Sequence, residues 1–119
     1  MELLLAHRGV DVINLGGRLP TASLIVAARS SGVTAVVVCS HTPTVATHAV
    51  RAVRAVAELG LPVYYAGASF ESQFVRQNTP GEALDAPLSV SADLLTRRHT
   101  RVAMQPSFTR LPAVGELTA

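Results

Sequence analysis

Between residues 10 and 67 the chain alternates three short apolar runs with two stretches of helical period, and each apolar run ends in small or polar residues. Val10–Leu15 ends at Gly16-Gly17, Thr34–Cys39 ends at Ser40-His41-Thr42, and the run from Pro62 ends at Ala66-Gly67. Strands that alternate with helices at this spacing fold as a parallel sheet with helices on both faces. The middle run, Ala35-Val36-Val37-Val38-Cys39, is apolar without alternation, as a strand covered on both sides must be. Open parallel sheets bind ligands in the crevice at the carboxyl ends of their strands. Small residues at three such ends point to a surface where something large lies against backbone.

The flanking segments extend the same rhythm. Residues 2–8 read as the last turns of a helix stopped by Gly9. Pro20 opens a helix that runs to about Ser31, and Thr42 or Thr44, with Pro43 in the first turn, opens the next, which Gly60 closes. Beyond Gly67 the pattern predicts a short helix over 69–77, a loop at 78–81, a weak strand near 83–86 and a final helix over 89–98. Residues 100–119 show no period and contain Pro106 and Pro112. They read as a C-terminal tail, so the expected organisation is an α/β domain over 1–99 and a tail over 100–119.

Composition narrows the function. All ten basic residues are arginine and the net charge is +2, with the arginines scattered until Arg97, Arg98 and Arg101. That cluster, with His99, reads as a solvated helix end and basic tail, so nucleic-acid binding through this domain is not expected. Cys39 is the sole cysteine, which excludes an internal disulfide and predicts a buried, reduced thiol. No apolar run approaches the roughly 20 residues that span a bilayer, and the start lacks the basic flank of a signal peptide. A cytoplasmic protein without membrane contact is predicted. Catalytic patterns are missing too. Ser40 has no G-x-S-x-G elbow, Arg18 interrupts any G-x-G-x-x-G, and neither Asp11 nor Asp85 has an acidic neighbour at a strand end. An enzyme is not expected.

Val12-Ile13-Asn14-Leu15-Gly16 followed by Pro20, then Val36-Val37-Val38-Cys39-Ser40, then Val63-Tyr64-Tyr65-Ala66-Gly67 with Phe70, together resemble the cobalamin-binding domain family. This is the flavodoxin-like module of methionine synthase, the corrinoid mutases and cobalamin-responsive regulators. The likeness covers roughly residues 2–97. It implies a doubly wound, flavodoxin-like sheet whose strand ends are capped by a corrin ring, with a nucleotide tail between sheet and helix. Ser40 matches the serine of the family's S-x-L motif, with Thr42 in place of the leucine. Gly67 matches the second glycine of a Gly-Gly pair, with Ala66 in place of the first. Gly16, Gly17, His41 and Phe70 complete the implied cofactor-binding set, His41 as a hydrogen-bonding strand-end residue and not as a metal ligand.

The chain departs from that family in one defining element. The D-x-H-x-x-G loop, whose histidine ligates cobalt from below, occurs nowhere, and the four histidines stand in the contexts AHRG, SHTP, THAV and RHTR. The family's opening central strand is missing as well, leaving four strands. Residues 10–15 are then expected to pair directly with 34–39, with one sheet face covered only by residues 2–8 and the final helix. The resulting apolar patch predicts a homo-oligomer. The implied function is a corrinoid carrier or sensor module, regulatory and non-catalytic by itself, serving a fused or separate effector domain. The alternatives are a non-binding domain of this fold acting in dimerisation or protein interaction, and a small nucleotide-binding regulator.

Overall fold

The structure, a computed structural model, describes residues 2–14, 21–41 and 46–105. The helix starts expected at Pro20 and at Thr42, Pro43 and Thr44 lie outside these residues. Element order is α1 (Glu2–His7), β1 (Asp11–Asn14), α2 (Thr21–Ser30), β2 (Ala35–Cys39), α3 (Ala46–Glu58), β3 (Val63–Ala66), a 3-10 turn (Ala68–Phe70), α4 (Gln73–Gln77), β4 (Glu82–Ala83), α5 (Leu88–Arg98) and β5 (Arg101–Gln105). All strand pairings are parallel, and the sheet order is β1-β5-β2-β3-β4. This is a doubly wound, flavodoxin-like α/β fold, with five strands among the described residues instead of the expected four.

The fifth strand corrects two expectations. Residues 101–105 are not the start of a tail; they lie in the middle of the sheet. β1 and β2 do not pair directly, because Val102 is opposite Val12 on one side and Ala35 on the other, and Ala103 is opposite Ile13 and Val36. Flavodoxin-like sheets run 2-1-3-4-5 in strand order. Here that order is complete, with the last described strand in sequence standing where the first normally does. The physical reason is backbone satisfaction. An empty slot between β1 and β2 leaves two rows of main-chain groups without partners, each buried orphan costing about 1–3 kcal/mol.

Period-two alternation then divides the sheet's side chains between two cores. On one face Val36, Val38, Val63, Tyr65 and Ala103 pack under Leu24 and Ala28 of α2 and Ala49, Val53 and Val56 of α3. On the other, Ala35, Val37, Tyr64, Val102 and Met104 pack under Leu5 of α1 and Ala92 and Leu95 of α5. Helices therefore cover both faces, which is why β2 carries no polar side chain.

Arg97 and Arg98 form the expected exposed helix end, but Arg101 opens β5 and does not begin a tail. Arg98 reaches Glu82 at 2.8 Å and Arg101 reaches Asp11 at 3.2 Å, tying α5 and β5 to neighbouring strands. Between them His99 joins two hydroxyls, its Nε2 2.9 Å from the Tyr64 hydroxyl and its Nδ1 3.2 Å from Thr34 Oγ1. Thr34 Oγ1 donates to the Arg101 carbonyl at 3.1 Å, so it accepts from His99 Nδ1–H, and Nε2 accepts from Tyr64. A neutral ring completes this chain with its proton on Nδ1, whereas a charged ring donates to both hydroxyls. Burial first, and the adjacent Arg98 second, hold His99 below its ordinary value of 6.5. The unfolded chain therefore takes up this proton at a higher pH than the folded one. Stability should be level above about pH 7, fall as pH drops below the ordinary histidine value near 6.5, and level off below the folded-state value. Urea unfolding from pH 7.5 down to 5, with His99→Gln as comparison, checks this. The variant should lose part of the acid-side decline.

Candidate functional site

The switch in winding falls between β5 and β2, and the crevice of such a sheet opens beside it at the carboxyl edge. Ser40 follows β2 there, and Ala66 ends β3 beside it. The Ser40 amide donates to the Ala66 carbonyl at 2.9 Å, continuing the ladder past Cys39. The chain then turns back on itself. Gly67 has φ +108°, the Phe70 amide donates to the Gly67 carbonyl at 3.0 Å, and the Ser69 amide donates to the Ser40 carbonyl at 3.0 Å. Ser40 and Ser69 hydroxyls meet at 2.6 Å, both buried. Phe70 is buried against Tyr65, ring centroids 4.8 Å apart.

Four of the expected site residues, Ser40, Ala66, Gly67 and Phe70, are thus brought together. His41 borders the same turn with an exposed side chain and has no hydrogen-bond partner among the described residues. Gly16, Gly17 and Thr42 lie outside the described residues. Ala66, Gly67 and Phe70 also line a cavity of about 200 Å³, whose lining on the α4–β4 side includes Arg76, Leu84 and Asp85. Arg76 pins that side. Its Nε donates to the Phe70 carbonyl at 2.7 Å and its two terminal nitrogens hold both carboxylate oxygens of Asp85. Asp85 in turn favours the charged guanidinium and raises Arg76's pKa. Cys39, at the end of β2, is half-buried, and desolvation raises its pKa, keeping it a protonated thiol.

No protein-family model, curated protein or solved structure matches this chain.

The residues fit a corrinoid in part. The small strand ends and the cavity wall at Ala66, Gly67 and Phe70 suit close approach of a ligand to backbone. The Ser40 hydroxyl does not, because it is fully buried and bonded to Ser69, so a nucleotide tail that reaches it must first open that bond. Nor does Gly67 face an empty slot. A Cβ there meets the Ser40 carbonyl oxygen, comes within 2.7 Å of its carbon and lies 2.9 Å from His41 Nδ1. At about 200 Å³ the cavity is also smaller than the roughly 300–1,000 Å³ of pockets that hold drug-sized ligands. No group of three His, Cys, Asp or Glu among the described residues is placed to hold a metal ion, and no described helix is long and apolar enough to cross a membrane.

Ser69, Arg76 and Asp85 are not legible as site residues in the sequence. Ser69 lies 29 positions from Ser40, and no periodicity announces their contact. Arg76 and Asp85 are nine apart, and only the intervening loop and β4 make them neighbours.

Proposed function

We propose that this domain is a non-catalytic binding module whose ligand lies across the carboxyl edge of the sheet, and that the ligand is a corrinoid. The observation that carries this is the gathering of Ser40, Ala66, Gly67 and Phe70 at adjacent strand ends beside the switch in winding. The family likeness of the same segments supplies the ligand class. Bound corrinoid would bring its cobalt chemistry with it; the chain's own part is to hold the tail between sheet and turn and to keep water from it. A second reading, the same fold without a ligand and working through protein contacts, is favoured by the closed Ser40–Ser69 pair.

Desalting after incubation with hydroxocobalamin separates the two. Co-elution of the corrinoid absorbance with the protein is expected, and its complete loss to the small-molecule fraction selects the second reading. The serines sharpen the test. One hydrogen bond nets about 1 kcal/mol, roughly fivefold in affinity. Ser69→Ala frees the Ser40 hydroxyl and should tighten retention by about that factor, whereas Ser40→Ala should weaken it. Both variants lose the same internal bond, so a stability effect alone moves them in the same direction.

A further inference from the structure

We propose that the groove between α3 and α4 is a docking site for an acidic amphipathic segment of a partner protein. The groove has a volume of about 350 Å³; Val50 and Val75 are half-buried in its lining, and Phe74 stands beside them with 74% of its surface exposed. Its charged lining residues are Arg51 and Arg54 alone. The four ion pairs of the described residues lie elsewhere, at Arg8–Asp93, Arg76–Asp85, Arg98–Glu82 and Arg101–Asp11. Arg54 gives its Nε and one terminal nitrogen to the Asn78 carbonyl at 3.1 and 2.6 Å, which fixes its position and neutralises no charge. Arg51 is exposed and has no hydrogen-bond or ion-pair partner among the described residues. Glu58, one turn beyond Arg54 and the acid of α3, is in no ion pair among them either.

Arg8, Arg76, Arg98 and Arg101 are thus paired with carboxylates, and neither arginine that lines the α3–α4 groove is, among the described residues. An apolar recess flanked by two unneutralised guanidiniums is complementary to a segment that presents one or two apolar side chains with carboxylates beside them. Recognition of this kind lays an amphipathic helix in a groove, anchors down and charges at the rim. Nucleic acid is the less suitable occupant. Phosphate tracking needs basic residues spread along a path, and here two arginines share the lining with an aromatic and two valines. The site is separate from the carboxyl-edge cavity, with which it shares no lining residue.

Panning a phage-displayed peptide library on the full chain, then titrating the selected peptides by fluorescence anisotropy, tests this. Enrichment of peptides with Asp or Glu flanking Leu, Ile or Phe is expected. Their binding should weaken about tenfold in Phe74→Ala and in Arg51→Glu, and exchanging the peptide carboxylates for lysine should restore binding to Arg51→Glu only. Both residues are exposed, so unchanged circular dichroism is expected of the variants. The proposal is overturned by no enrichment, by selected peptides without acids, by binding indifferent to both substitutions, or by a labelled DNA duplex that binds this chain more tightly than the peptides do.

Discussion

A chain ended after Thr100 will not fold. The truncation removes β5, and with it the strand that both β1 and β2 pair with. Val102, Ala103 and Met104 are buried, in the two cores that the sheet separates. Burying Val102 and Met104 contributes roughly 1.5–3 kcal/mol each. The main-chain groups that β5 leaves unpaired add about 1–3 kcal/mol apiece where water does not reach them. Against a typical domain stability of about 5–15 kcal/mol these losses exceed what remains. The measurement is far-UV circular dichroism with a urea titration, and no cooperative transition is expected. Ala103→Asp reaches the same end in the full-length chain, because a lone carboxylate at a fully buried position costs more than about 4 kcal/mol. A truncated chain that unfolds at the same urea concentration as the intact one would return residues 101–105 to the status of a tail.

That strand also marks where the sequence stops being informative. β2 and α3 are readable residue by residue, because an unbroken Val run and a strong helical period each leave one interpretation. Val102-Ala103-Met104 is too short to show a period, follows three basic positions and stands two residues before Pro106. Its neighbours disguise it. Yet the β-α rhythm itself asks for a strand after the helix that ends at Arg98, and the sheet order asks for one between β1 and β2. Those two demands have the same answer. The candidate site follows the same logic at smaller scale. Ser40, Ala66, Gly67 and Phe70 are legible because strand ends are local features. Ser69 is not, because its contact with Ser40 exists only once β2 and β3 lie side by side. A glycine at 67 signals close approach, and the sequence alone does not say of what. The structure places the Ser40 carbonyl there.

Gly67→Ala should therefore be among the most damaging single-methyl additions in the protein. Two separate effects act together. The φ of +108° lies where L side chains are strained, which costs about 1–3 kcal/mol. The new methyl also collides with backbone, the Ser40 carbonyl, and not with the yielding end of a side chain. Relief requires the 67–70 turn to lift off β2, which breaks the Ser69 amide bond to Ser40 and the hydroxyl pair and loosens Phe70 from Tyr65. Overpacking of this sort adds about 1–3 kcal/mol, so the sum is near 4 kcal/mol. Gly9→Ala separates the two effects. Gly9 has φ +82°, and a methyl added there meets nothing within 4 Å, so only the conformational part applies, about 1 kcal/mol. Urea midpoints of the two variants should therefore differ severalfold in their displacement from the parent. Equal displacements would mean that the Ser40 carbonyl yields, and with it the case for a closed turn over the carboxyl edge.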